Sequence, residues 1–68
     1  MMVLSLQEAE KIKEELKQLK VRELIYELER RWETVIETHP RTTENRKAND
    51  ILSLVENEIA RRLGQWNG

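Results

Sequence analysis

The stretch Leu16-Lys17-Gln18-Leu19-Lys20-Val21-Arg22-Glu23-Leu24-Ile25 joins two apolar stripes that face nearly opposite ways, with no glycine or proline between them. Upstream, Ala9, Ile12, Leu16 and Leu19 step along one helical face. Downstream, Val21, Ile25, Leu28, Trp32 and Val35 step along another. At about 100° per residue, the second stripe is turned by roughly 160° from the first. One straight helix would therefore carry two opposed sticky faces. Either the chain doubles back near Lys20 and the faces meet, or a second chain must cover one of them.

Local signals around Lys20 divide. Ser5 and Glu8 have the spacing of a capping box, and Leu4 and Ala9 that of a hydrophobic staple, so a first helix starts at Ser5. Leu19, Glu23 and Leu24 repeat the places of Leu4, Glu8 and Ala9 around Lys20. The cap itself is wrong, because a lysine ammonium cannot accept a hydrogen bond from the orphan amides of a helix start. Phase reversal and staple predict a break at residues 18–21. The missing cap favours the alternative, one continuous helix over residues 5–38.

Working outward, Thr38-His39-Pro40 ends the second helix, since the residue before a proline is pushed out of helical geometry. Arg41-Thr42-Thr43 is a polar turn in which either threonine can cap a third helix. That helix carries Ala48, Ile51, Leu52, Val55, Ile59 and Leu63 on one stripe, and Gly64 stands where a left-handed residue would stop it. The expectation is an all-α small helical bundle with helices near 5–19, 21–38 and 43–63, or a long-helix hairpin if 5–38 is continuous. Residues 1–64 form one helical domain and 65–68 a flexible tail. The expected core is Ile12, Leu16, Leu19, Ile25, Leu28, Trp32, Val35, Leu52, Val55 and Ile59.

A chain of 68 residues has little core, and without cysteine it has neither disulfides nor cysteine-bound zinc to reinforce it. Close helix packing or association with another chain remains. Several apolar groups are left over: Val3 and Leu4 before the first helix, Tyr26 and Leu54 on the far sides of theirs, and Trp66 beyond Gly64. Grouped apolar residues mark partner surfaces. A homodimer is therefore expected, as paired hairpins make four-helix bundles.

Charged residues are 37% of the chain with both signs interspersed and a net charge of −1, which removes the strongest electrostatic case for nucleic acid or an acidic membrane. No apolar run is long enough to span a bilayer, and Met1 to Leu6 lacks the basic leader and cleavage site of a signal peptide. The expected location is cytoplasmic. Enzymatic chemistry is not expected: no serine has a base partner, and there is no glycine-rich phosphate loop and no metal-ligand spacing. His39 is the one histidine and reads as a solvated turn residue, so neither metal nor cofactor is expected.

Two functional readings follow. The first is a non-enzymatic protein–protein interaction or regulatory module, working through a helical face with Tyr26, Leu54 and Trp66 as anchors for an unidentified protein partner. Its composition suits small accessory proteins, those of phages and plasmids included. The second is a dimeric nucleic-acid accessory protein that meets phosphates through Arg41, Arg46 and Lys47 near the second turn, with Arg61 and Arg62 at the far end of the last helix. Against it, Glu58–Arg62 and Glu27–Arg31 have the spacing of ordinary pairs one turn apart. Asn45 could fix register if buried. Its expected place is the exposed first turn of the third helix.

Overall fold

The chain does double back at Lys20. In the computed structural model, which describes residues 4–66, α1 spans Leu6–Lys17, α2 spans Val21–Glu37 and α3 spans Thr43–Trp66. These helices hold 84% of the described residues, and no strand occurs among them. Ser5 caps α1 as its spacing predicts: its hydroxyl accepts from the Glu8 amide at 3.1 Å and lies 3.3 Å from the Glu8 carboxylate.

At the break, the Gln18 and Leu19 amides donate to the Glu15 and Leu16 carbonyls, each at 3.1 Å. This three-residue spacing tightens the last turn of α1 and ends it. Lys20 is then extended, at φ −76° and ψ 160°, and α2 begins. Only half of a capping box forms. The Glu23 carboxylate accepts from the Lys20 amide at 2.8 Å, and the lysine side chain has no acceptor to return.

The second connection is fastened by its threonines. Thr42 caps α3, accepting from the Asn45 amide at 3.1 Å and donating to the His39 carbonyl at 2.7 Å. Arg41 takes a positive φ of 72°, a left-handed conformation that costs a non-glycine residue about 1 kcal/mol. The asparagine expected in an exposed first turn points inward instead. Asn45 donates from its amide to the Val35 carbonyl at 3.1 Å and to the Thr38 hydroxyl at 3.0 Å, which ties the end of α2 to the start of α3.

α2 and α3 form an antiparallel hairpin, and α1 is laid along α3 on one side of it. The core is built of Leu4, Ala9, Leu16, Leu24, Leu54 and Val55, with Ile12, Leu19, Leu28, Ile51 and Ile59 partly buried against it. Leu24 and Val55 are fully enclosed. Burial of such a side chain contributes about 1.5–3 kcal/mol.

Several expectations change. Ile25 and Trp32, placed in the core by periodicity, are 48% and 54% exposed. The reason is the doublets Leu24-Ile25 and Val35-Ile36, which make the apolar sector of α2 wider than one contact face. The fold buries its Leu24 edge and leaves the other edge in water. Leu54, read as a far-side residue, is buried because α1 docks on that side of α3. Leu4, counted among the left-over apolar groups, is also buried, in one cluster with its staple partner Ala9, while Val3 lies outside the described residues. Gly64 does not stop α3, which runs through it to Trp66 with no positive-φ glycine. The tail expected at 65–68 thus begins with helical Gln65 and Trp66, and residues 67–68 lie outside the described range.

Candidate functional site

The uncovered edge of α2 carries four of the exposed large apolar residues on one helical face. Val21, Ile25, Trp32 and Ile36 recur at helical spacing and are 51%, 48%, 54% and 65% exposed. Because α1 lies on the other side of the hairpin, nothing among the described residues covers this line. Leu28 and Leu52 form the floor of a shallow groove beside it, where α2 meets α3, and Trp32 forms one wall. Glu29 and Glu56 rim the groove. Leu63, 49% exposed, adds an apolar group on α3 near the other end. Isolated exposed apolar residues are ordinary, but a continuous line of them on one face is not.

The three anchors expected from the sequence do not share a face. Tyr26 is 67% exposed on α2, beside Leu19, Arg22 and Glu23. Leu54 is in the core, under α1. The side chain of Trp66 lies outside what the structure describes, so only its helical backbone position is known. Val21, Ile25, Trp32 and Ile36 were missed as surface residues. The signal that could have found them is the pair of apolar doublets, which one buried stripe cannot accommodate.

The five basic residues of the nucleic-acid reading are also dispersed. Arg62 turns inward: its guanidinium donates to the carbonyls of Leu16 (2.9 Å), Lys17 (3.1 Å) and Leu19 at the end of α1, of which Leu16 also accepts from the Leu19 amide. The buried Glu58 carboxylate holds it there at 2.8 Å from Arg62 Nε. Arg61 closes a two-pronged bond on the same carboxylate, at 3.1 and 2.6 Å. The Arg61 hydrogen bonds are the main reason the Glu58 carboxyl is held down to about 2; burial opposes them, and the bond and charge of Arg62 add to them. Lys47 sits 3.3 Å from Glu8 across the α1–α3 contact. Arg41 and Arg46 are exposed near the second turn, with no ion pair among the described residues. Two free guanidinium groups make a weak phosphate site.

His39 is exposed in the turn, with Nδ1 2.9 Å from the Pro40 carbonyl oxygen. Among the described residues, no three acidic or histidine side chains converge as metal ligands. No helix there is long and apolar enough to cross a membrane. No family model, curated protein sequence or solved structure matches this chain.

Proposed function

We propose that this chain is a non-enzymatic protein-interaction module and that the outer edge of α2 is its working surface. The observation that carries the reading is the line Val21, Ile25, Trp32 and Ile36, each about half exposed or more. A helix face that is apolar, rigidly mounted and uncovered serves as a docking ridge for another helix. Trp32 is its natural anchor, since tryptophan concentrates binding energy where it is desolvated. The groove at its foot, floored by Leu28 and Leu52, offers a seat for an apolar side chain of the partner.

The nucleic-acid alternative draws less support. Of its residues, Lys47, Arg61 and Arg62 are spent on Glu8, Glu58 and the α1 carbonyls.

The test is affinity capture from cells with the tagged chain, run in parallel with an Ile25→Glu variant. Ile25 is solvent-facing, so the variant keeps the fold, which circular dichroism checks. A protein recovered by the wild-type chain and lost with the variant, further copies of the chain included, is the expected result. Equal recovery by both chains would remove α2 as the docking surface.

A further inference from the structure

The geometry points to a second copy of this chain as the occupant of the α2 edge, packed antiparallel so that Arg22 of each copy meets Glu29 of the other. The inference rests on the docking reading and adds the partner and its direction. Three observations carry it.

The first is charge. Arg22 and Glu29 lie two helical turns apart on the same solvent flank of the apolar line, and both are exposed. Neither has an ion-pair partner among the described residues, whereas Glu27, Arg30 and Arg31 on the same helix pair with each other. Opposite charges at two places on one flank are self-complementary in one direction. A two-fold axis crossing near Tyr26 sets Arg22 against Glu29 of the second copy, and Glu29 against its Arg22. Parallel pairing would turn this flank toward the opposite flank of the second copy, so Arg22 and Glu29 would not meet and neither charge would gain a partner from the other.

The second is register. The same antiparallel alignment brings Val21 beside Trp32 of the second copy and Ile25 beside its Leu28. Small and large apolar groups then alternate along the seam, as close packing requires. A shift by two turns toward Ile36 would keep the apolar contacts but set Glu29 against Glu29.

The third is area. The chain exposes 5578 Å². A compact monomer of 8.2 kDa exposes about 4,500 Å². The excess, about 1,000 Å², is close to the ~800 Å² that each partner gives up in an ordinary stable interface. The radius of gyration, 12.4 Å, also exceeds the roughly 11 Å of a compact chain of this length.

The experiment is sedimentation equilibrium on the purified full chain and on two charge variants, Arg22→Glu and Glu29→Arg. The wild type is expected at twice 8.2 kDa. Each variant alone sets like charges together twice and is expected to weaken self-association by about tenfold or more. Mixed one to one, the two variants again place a carboxylate opposite a guanidinium at both contacts of the seam, so the mixture is expected to recover the wild-type dimer. Circular dichroism on each variant excludes misfolding. A monomeric wild-type chain would overturn the second-copy assignment while leaving the docking reading to the capture experiment. A dimer whose affinity ignores both charge changes, or variants that fail to rescue one another, would overturn the antiparallel pairing.

Discussion

Near its two ends, α3 does the same job with different chemistry. At its start, Asn45 closes the end of α2 with a neutral amide that reaches the Val35 carbonyl and the Thr38 hydroxyl. Toward its other end, Arg62 closes α1 with a charged fork that reaches three carbonyls and is itself gripped by Glu58. The first junction joins neighbours in sequence, across a short turn. The second joins segments 43 to 46 residues apart. A short amide suffices where the chain itself keeps the helices close. A long cation with a buried counter-charge is used where no turn does so. In both places α3 acts as a brace that completes an earlier helix.

The largest expected effect is at the Arg62 junction. Arg62→Ala takes the guanidinium from the Lys17 and Leu19 carbonyls, leaves Leu16 with its backbone partner alone, and takes one of two cations from buried Glu58, which should cost about 3 kcal/mol. A domain of this size has only about 3–10 kcal/mol in total. Urea unfolding followed by circular dichroism should therefore show the midpoint collapse. Arg62→Lys should recover less than half, because an ammonium cannot span three acceptors as a planar fork does. Full recovery would reduce the junction to a matter of charge. Asn45→Ala should cost less, about 1–2 kcal/mol, since it removes neutral hydrogen bonds. A larger loss at Asn45 than at Arg62 would invert the ranking.

How far these junctions were legible differs in the same way. The reversal at Lys20 could be read, because it is written in the phase of Ala9, Ile12, Leu16 and Leu19 against the residues that follow. The missing cap at Lys20 favours a continuous helix only if the start of α2 is what decides the break. The stabilising group belongs instead to the end of α1 and comes from Arg62, far along the chain, where local spacing shows nothing but a pair one turn from Glu58. Asn45 was visible as a polar residue at a core-side phase, but choosing between buried and exposed required knowing where α2 ends. The α2 edge was half legible. Its apolar width is present in the sequence, but which part of it faces the core depends on the side of the hairpin that α1 takes.

Acid should act on one junction and spare the other. Glu58 has a carboxyl pKa lowered from 4.5 to about 2, led by its hydrogen bonds from Arg61, so the folded state favours the charged form. Its contribution is fully present above 4.5 and is lost as pH falls from there through about 2. Solvent screening at Arg61, which is largely exposed, makes this a modest term. The stability gap between wild type and Glu58→Gln should thus be open at neutral pH and close in acid, while the gap for Asn45→Ala stays constant. Denaturant midpoints at a series of pH values test both. A Glu58 gap that persists below its folded pKa would mean that the side chain acts by packing rather than by charge.

The smallest expected effect sharpens the brace itself. Gly64 sits inside α3, just beyond Arg62, in helical geometry. A Cβ added there meets nothing within 4 Å. Glycine in a helix costs about 1 kcal/mol relative to alanine, through the freedom it gives the unfolded chain. Gly64→Ala should therefore stabilise the protein by about 0.5–1 kcal/mol and slow amide exchange in the last turns of α3. If that stiffening is transmitted through Arg62, exchange should also slow at the end of α1, which it closes, and stay unchanged at the end of α2. Equal slowing at both ends would show that α3 responds as one rigid rod, and that the two junctions are less independent than their chemistry suggests.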